Sequence, residues 1–100
     1  MRTRETERLW DELEGLVGRA GLPERAVPVL YEAALRYRVR NVTYRAVLAG
    51  TQDAITDQVA SRDLKLLTTA GLLAAHGATR ARFYTATRQL VALRARTMTG

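Results

Sequence analysis

Four side chains within one short stretch, Gln58, Ser61, Arg62 and Lys65, belong to the donor types that bond to base edges and phosphate oxygens. Thr56 stands just ahead of them. Arg80 and Arg82 follow Gly77, where an exposed turn would carry two guanidinium groups to phosphates or into a minor groove. Together these residues predict duplex DNA as the partner. No catalytic constellation accompanies them. Catalysis needs convergent groups with matched proton affinities. The chain offers no His–Asp–Ser set, its carboxylates cluster only on its first helical stretch, and no glycine-rich loop leads into a helix with a lysine. His76 is the single histidine and there is no cysteine. Accordingly no catalytic residue, cofactor, metal ligand or small-molecule substrate is predicted, and disulfides are excluded.

The element that must hold the polar donors is the run ITDQVASRDLKLLTTAGLL, residues 55–73. Thr56 can cap a helix with its hydroxyl, Asp57 suits the positive end of the dipole, and Gly71 can close the far end, giving a helix over about 57–70. At about 100° per residue, Asp57, Gln58, Ser61, Arg62, Lys65, Thr68 and Thr69 share one side, and Val59, Ala60, Leu64, Leu66, Leu67 and Ala70 the other. Asp63 breaks the division. Its carboxylate falls within the apolar arc, where an unpaired charge costs several kcal/mol, so it is expected to meet an arginine or backbone N–H groups.

Charge is unevenly placed. Residues 1–34 carry five Arg against seven carboxylates, a net of −2, whereas 35–100 carry eleven bases against three acids, a net of +8. Two readings stay open: a polyanionic partner for the basic part, or the arginine-rich composition of a GC-rich genome, since fifteen of the sixteen bases are Arg. With 47% hydrophobic and 26% charged residues, 100 residues suffice for one helix-rich globular core. No apolar run approaches the roughly 20 residues of a membrane span, and the start lacks a signal-peptide core, so a soluble, cytoplasmic protein without a membrane partner is expected.

Residues 4–20 place Leu9, Trp10, Leu13, Leu16, Val17 and Ala20 on one helical stripe that ends at Gly21. Trp10 anchors either in the core or against a partner domain. A second helix opens at Leu22-Pro23 with Val27, Leu30, Tyr31, Ala34 and Leu35 buried, and Pro28 demands either a later start or a kink. The run RYRVRNVTYR, residues 36–45, alternates with period two. It predicts an edge strand over 38–42, with Tyr37, Val39, Val42 and Tyr44 facing inward or at the rim of the core and Arg36, Arg38, Arg40 and Arg45 outward. Such arginines either follow a phosphate backbone or protect a sheet edge. Thr43 is expected to cap a helix over 44–49, and residues 50–55 form a turn. Two strands, 72–75 and 82–86, flank a loop at 76–80, Tyr84 lies in the core or at its rim, and a basic helix with Leu90, Val91, Leu93 and Met98 covers 87–98. That last helix packs on the first or pairs with a second copy.

The run TDQVASRDLKLLTTAGLL followed by AAHGATRARFYTA resembles the recognition helix and wing of a winged helix-turn-helix, and in particular the C-terminal module of Fic-family proteins. LPERAVPVLYEAALRYRVRNVTYRAV resembles the run joining that module to the catalytic domain, so the likeness covers about residues 7–86. It implies a mainly α fold with a small antiparallel β wing of two or three strands: an N-terminal helix at 1–21, the winged domain at 22–86 and a C-terminal basic helix at 87–100. The chain departs from the pattern in its turn of residues 50–55, which exceeds the usual three or four. Fic enzymes transfer AMP from ATP to a hydroxyl through a motif that opens His-Pro-Phe and closes Gly-Asn-Gly-Arg. Here His76 precedes Gly77 and the motif is missing. The resemblance thus implies an accessory module without its enzyme, excised or stand-alone, that binds DNA in a regulatory role. The alternative is a protein-interaction module that dimerises or presents targets to a Fic catalytic domain.

Overall fold

The computed structural model describes residues 4–99, without the side chains of residues 4–6, 80, 98 and 99. The Arg80 guanidinium and the Met98 side chain therefore lie outside the described residues.

Helix α1, Arg4–Ala20, buries Leu9, Leu13 and Val17, spaced four apart so that they stack on one face. It closes at Gly21, where φ is +68°, and the Leu22 N–H reaches back to the Val17 carbonyl at 3.0 Å. Of the two alternatives posed by Pro28, the later start is found. A single 3-10 turn at Glu24–Ala26 precedes α2, Val27–Ala34, and Pro28 sits in the first turn of α2, where a missing N–H costs no helical bond.

The expected strand over 38–42 is replaced by something shorter. Arg36 takes φ +76° and ends α2 as a glycine would, with the Tyr37 N–H on the Glu32 carbonyl at 3.2 Å. Only Val39 pairs as a strand, exchanging two bonds with Tyr84 at 2.8 and 2.7 Å. Helix α3 then runs Asn41–Leu48 with Arg40 at its cap, so Thr43 lies inside the helix rather than capping it. Tyr37 and Val42, expected inward or at the core rim, are 63% and 58% exposed, while Tyr44 is fully buried on α3.

Residues 49–56 lead to α4, Asp57–Thr69, which the Thr56 hydroxyl caps by accepting the Val59 N–H at 3.2 Å. Gly71, at φ +82°, ends it. Strands β1, Leu73–His76, and β2, Phe83–Ala86, pair antiparallel with Leu73 opposite Ala86 and His76 opposite Phe83. The hairpin is thus one residue further along than expected, and His76 belongs to the strand. Gly77, at φ +75°, permits the turn, since a Cβ there would lie 2.8 Å from the Ala81 carbonyl oxygen. Helix α5, Arg88–Thr99, follows Thr87, whose hydroxyl donates to the Gly71 carbonyl at 2.6 Å. It packs against α1 and α2, with Leu90 and Leu93 in the common core.

The architecture is mainly α with a two-stranded antiparallel wing, a winged-helix-like arrangement in which α3 packs on α4 and α4 on β1. Among the described residues no helix is long and apolar enough to cross a membrane.

Candidate nucleic-acid interface

Helix α4 buries Ala60, Asp63, Leu64 and Leu67, and this arc orients the opposite one, with Gln58, Ser61, Arg62 and Lys65 exposed. Leu66, assigned to the apolar arc from the sequence, is 44% exposed. At 100° per residue it lies on the boundary between the arcs, and the core is already filled by Leu64 and Leu67.

Asp63 is 1% exposed and fully partnered. Arg25 donates from Nε to Oδ2 at 2.6 Å and from Nη2 to Oδ1 at 2.9 Å, and the Tyr44 hydroxyl donates to Oδ2 at 2.7 Å. The expected arginine is thus present, a bidentate donor from the turn before α2. Burial, the hydrogen bond to Asp63 and the adjacent negative charge all push the Tyr44 hydroxyl above its ordinary value of 10.0. The Arg25 guanidinium is held still more firmly protonated by its bond to Asp63. Three segments are tied at this carboxylate, which fixes α4 relative to α2 and α3.

A shallow groove of about 480 Å³ separates α4 from the wing and brings Ser61 and Lys65 opposite Arg82. It continues along α3 as a second groove of about 490 Å³, lined by Arg40, Asn41, Arg45 and Asp57 as well as Ser61 and Arg82. Gln58 and Arg62 line neither groove and are exposed on α4. Thr56 is exposed, with its oxygen engaged as the cap.

Arg40, Asn41 and Arg45 join the site through the early start of α3. Asn41 Nδ2 donates to the Ser61 hydroxyl at 2.8 Å and to the Asp57 carbonyl at 3.0 Å, and Arg45 Nε donates to Asn41 Oδ1 at 2.7 Å. Asn41 was not singled out from the sequence, although its spacing of four from Arg45 is the helical signal for such a pair. Ser61 consequently carries an intramolecular bond as well as its place on the exposed face.

Among the described residues, Arg40, Arg45, Arg62, Lys65 and Arg82 have no carboxylate within ion-pair distance. Asp57 is the one carboxylate lining the two grooves. The wing's other face differs in character: His76 stacks on Phe83 with ring centroids 5.0 Å apart and bonds to the Thr85 hydroxyl at 2.8 Å, while the Arg38 guanidinium lies 4.6 Å from the Phe83 centroid. No group of three or more His, Cys, Asp or Glu able to hold a metal occurs among the described residues. The chain matches no family model, no curated protein and no solved structure.

Proposed function

We propose that this chain is a DNA-binding winged-helix module, with α4 presented to the major groove and the wing to the phosphate backbone. The observation that carries the reading is the cationic surface formed where α3, α4 and the wing meet: Arg40, Arg45, Lys65 and Arg82 around the grooves and Arg62 beside them, with no neutralising partner among the described residues. Gln58 and Arg62, exposed on α4, are the residues for base edges, and Lys65 and Arg82 for phosphates. The sequence likeness to the accessory module of Fic proteins adds a regulatory role beside an AMP transferase carried elsewhere.

A second reading is favoured by a different observation. Val42, lining the groove, and Leu66, on α4, are exposed apolar side chains of the kind an interaction module uses against a second copy or a Fic catalytic domain. Fluorescence anisotropy on a labelled random duplex separates the two. The DNA reading expects a Kd of about 10⁻⁴ to 10⁻⁶ M near physiological salt. Absence of binding at low salt, or binding indifferent to replacement of Arg62, Lys65 and Arg82 together, discards it in favour of the interaction module.

A further inference from the structure

Arginines in folded proteins are usually either solvated and mobile or paired with carboxylates. Arg45 is neither. Its Nε is committed to Asn41 Oδ1 at 2.7 Å, and Asn41 is itself held by Ser61 and the Asp57 carbonyl on the facing helix. A guanidinium anchored through Nε keeps its two terminal nitrogens in a fixed plane for another acceptor. Arg40, at the N-cap of α3, and Arg82, on the wing, line the same groove, and no carboxylate pairs with any of the three among the described residues. Holding three like charges around one concavity is unfavourable unless an anion shares it.

We propose that this groove is a phosphate-binding site, in which Arg40, Arg45 and Arg82 donate to one phosphate group and Asn41 is the residue that positions Arg45. The inference rests on the DNA reading only for the carrier of the phosphate, which is either the duplex backbone or a free phosphate ester. At about 490 Å³ the groove is larger than a bare phosphate needs and falls in the size range of ligand clefts, roughly 300–1,000 Å³. Asp57, on the facing helix α4, lines the same groove, opposes the anion and sets a limit on its affinity.

The test is an NMR titration of the whole chain with pyrophosphate in one arm and a short duplex in the other, following backbone amides. Pyrophosphate is expected to move the amides around residues 40–45, Ser61 and Arg82. Arg45→Ala and Arg82→Ala each weaken it roughly 10- to 100-fold, as loss of a charge-assisted hydrogen bond does. Asn41→Ala weakens it roughly two- to tenfold although it removes no charge, Arg45→Lys does the same, and the double variant is no worse than Arg45→Lys. Asp57→Asn tightens binding about two- to fivefold, and Arg19→Ala, on α1, leaves it unchanged. Each variant's own amide spectrum reports whether it folds, and Arg82→Ala and Asn41→Ala carry the test if Arg45→Ala does not. Pyrophosphate that leaves the groove amides unmoved, or that Arg19→Ala weakens as much as Arg45→Ala does, overturns the site even if duplex binds. Pyrophosphate seated in the groove with no duplex binding leaves the site standing for a free ester and removes the DNA reading.

Discussion

Both oxygens of Asp63 are occupied, one by Arg25 and the other shared between Arg25 and Tyr44. Removing the carboxylate strands the buried Tyr44 hydroxyl, whereas the partly exposed Arg25 can turn to water. Asp63→Ala is therefore expected to lower stability by about 1–3 kcal/mol, while Asp57→Ala, at an exposed position, stays within about 0.5 kcal/mol; urea unfolding of the three proteins measures both. Tyr44 adds a pH signature. Its folded hydroxyl binds the proton more tightly than the ordinary 10.0, so the stability it contributes is present below that value and is lost as pH rises past it. The unfolding free energy from urea titration should fall above about pH 10 with a slope approaching 1.4 kcal/mol per unit, and Tyr44→Phe should remove that part of the fall. An identical alkaline profile in the two proteins would refute the assignment.

Among the elements, α4 was legible in the sequence because its signals are local: a threonine cap, a clean apolar arc and a glycine end. The misfit Asp63 announced that a partner existed, but not which one, since Arg25 is 38 residues away and contact across that distance is decided by packing. RYRVRNVTYR misled for a physical reason. Alternation shows that every second residue is treated alike, and here a left-handed Arg36, a lone bridging Val39 and the first turn of α3 reproduce much of that pattern without a strand. Asn41 consequently falls within the strand expected over 38–42, whereas in the structure it opens α3 and lines the candidate site. The backbone of Arg36 provides the element-scale prediction. Its φ of +76° costs a residue with a Cβ about 1–2 kcal/mol, part of which glycine gives back in unfolded-state entropy. Arg36→Gly should raise stability by about 0.5–1 kcal/mol, and a lower urea midpoint for that variant would show that Arg36 makes compensating contacts.

For the whole molecule, the charge asymmetry between a first third of net −2 and a remainder of net +8 now has a location. The basic remainder includes α3, α4 and the wing; four of its bases, Arg40, Arg45, Lys65 and Arg82, line the grooves between them, and Arg62 is exposed on α4 beside them. Because the sequence lacks the His-Pro-Phe to Gly-Asn-Gly-Arg motif, the chain alone is expected to transfer no labelled AMP to itself or to added protein, and transfer above a heat-treated control would overturn that reading. On the proposed reading, association with DNA depends on the same surface. If four or five of Arg40, Arg45, Arg62, Lys65 and Arg82 neutralise phosphates, each releases a condensed counterion, and log Kobs against log salt should run with a slope of roughly −3.6 to −4.5. The contacts divide by role. Arg82→Ala should weaken binding to every sequence alike and flatten the slope by about one, because a phosphate contact carries no base information. Gln58→Ala removes no charge and should leave the slope alone while reducing preference for a selected site. A slope near zero in the parent protein would mean that affinity comes from apolar contact. In that case the exposed Val42 and Leu66 would be the residues to replace next.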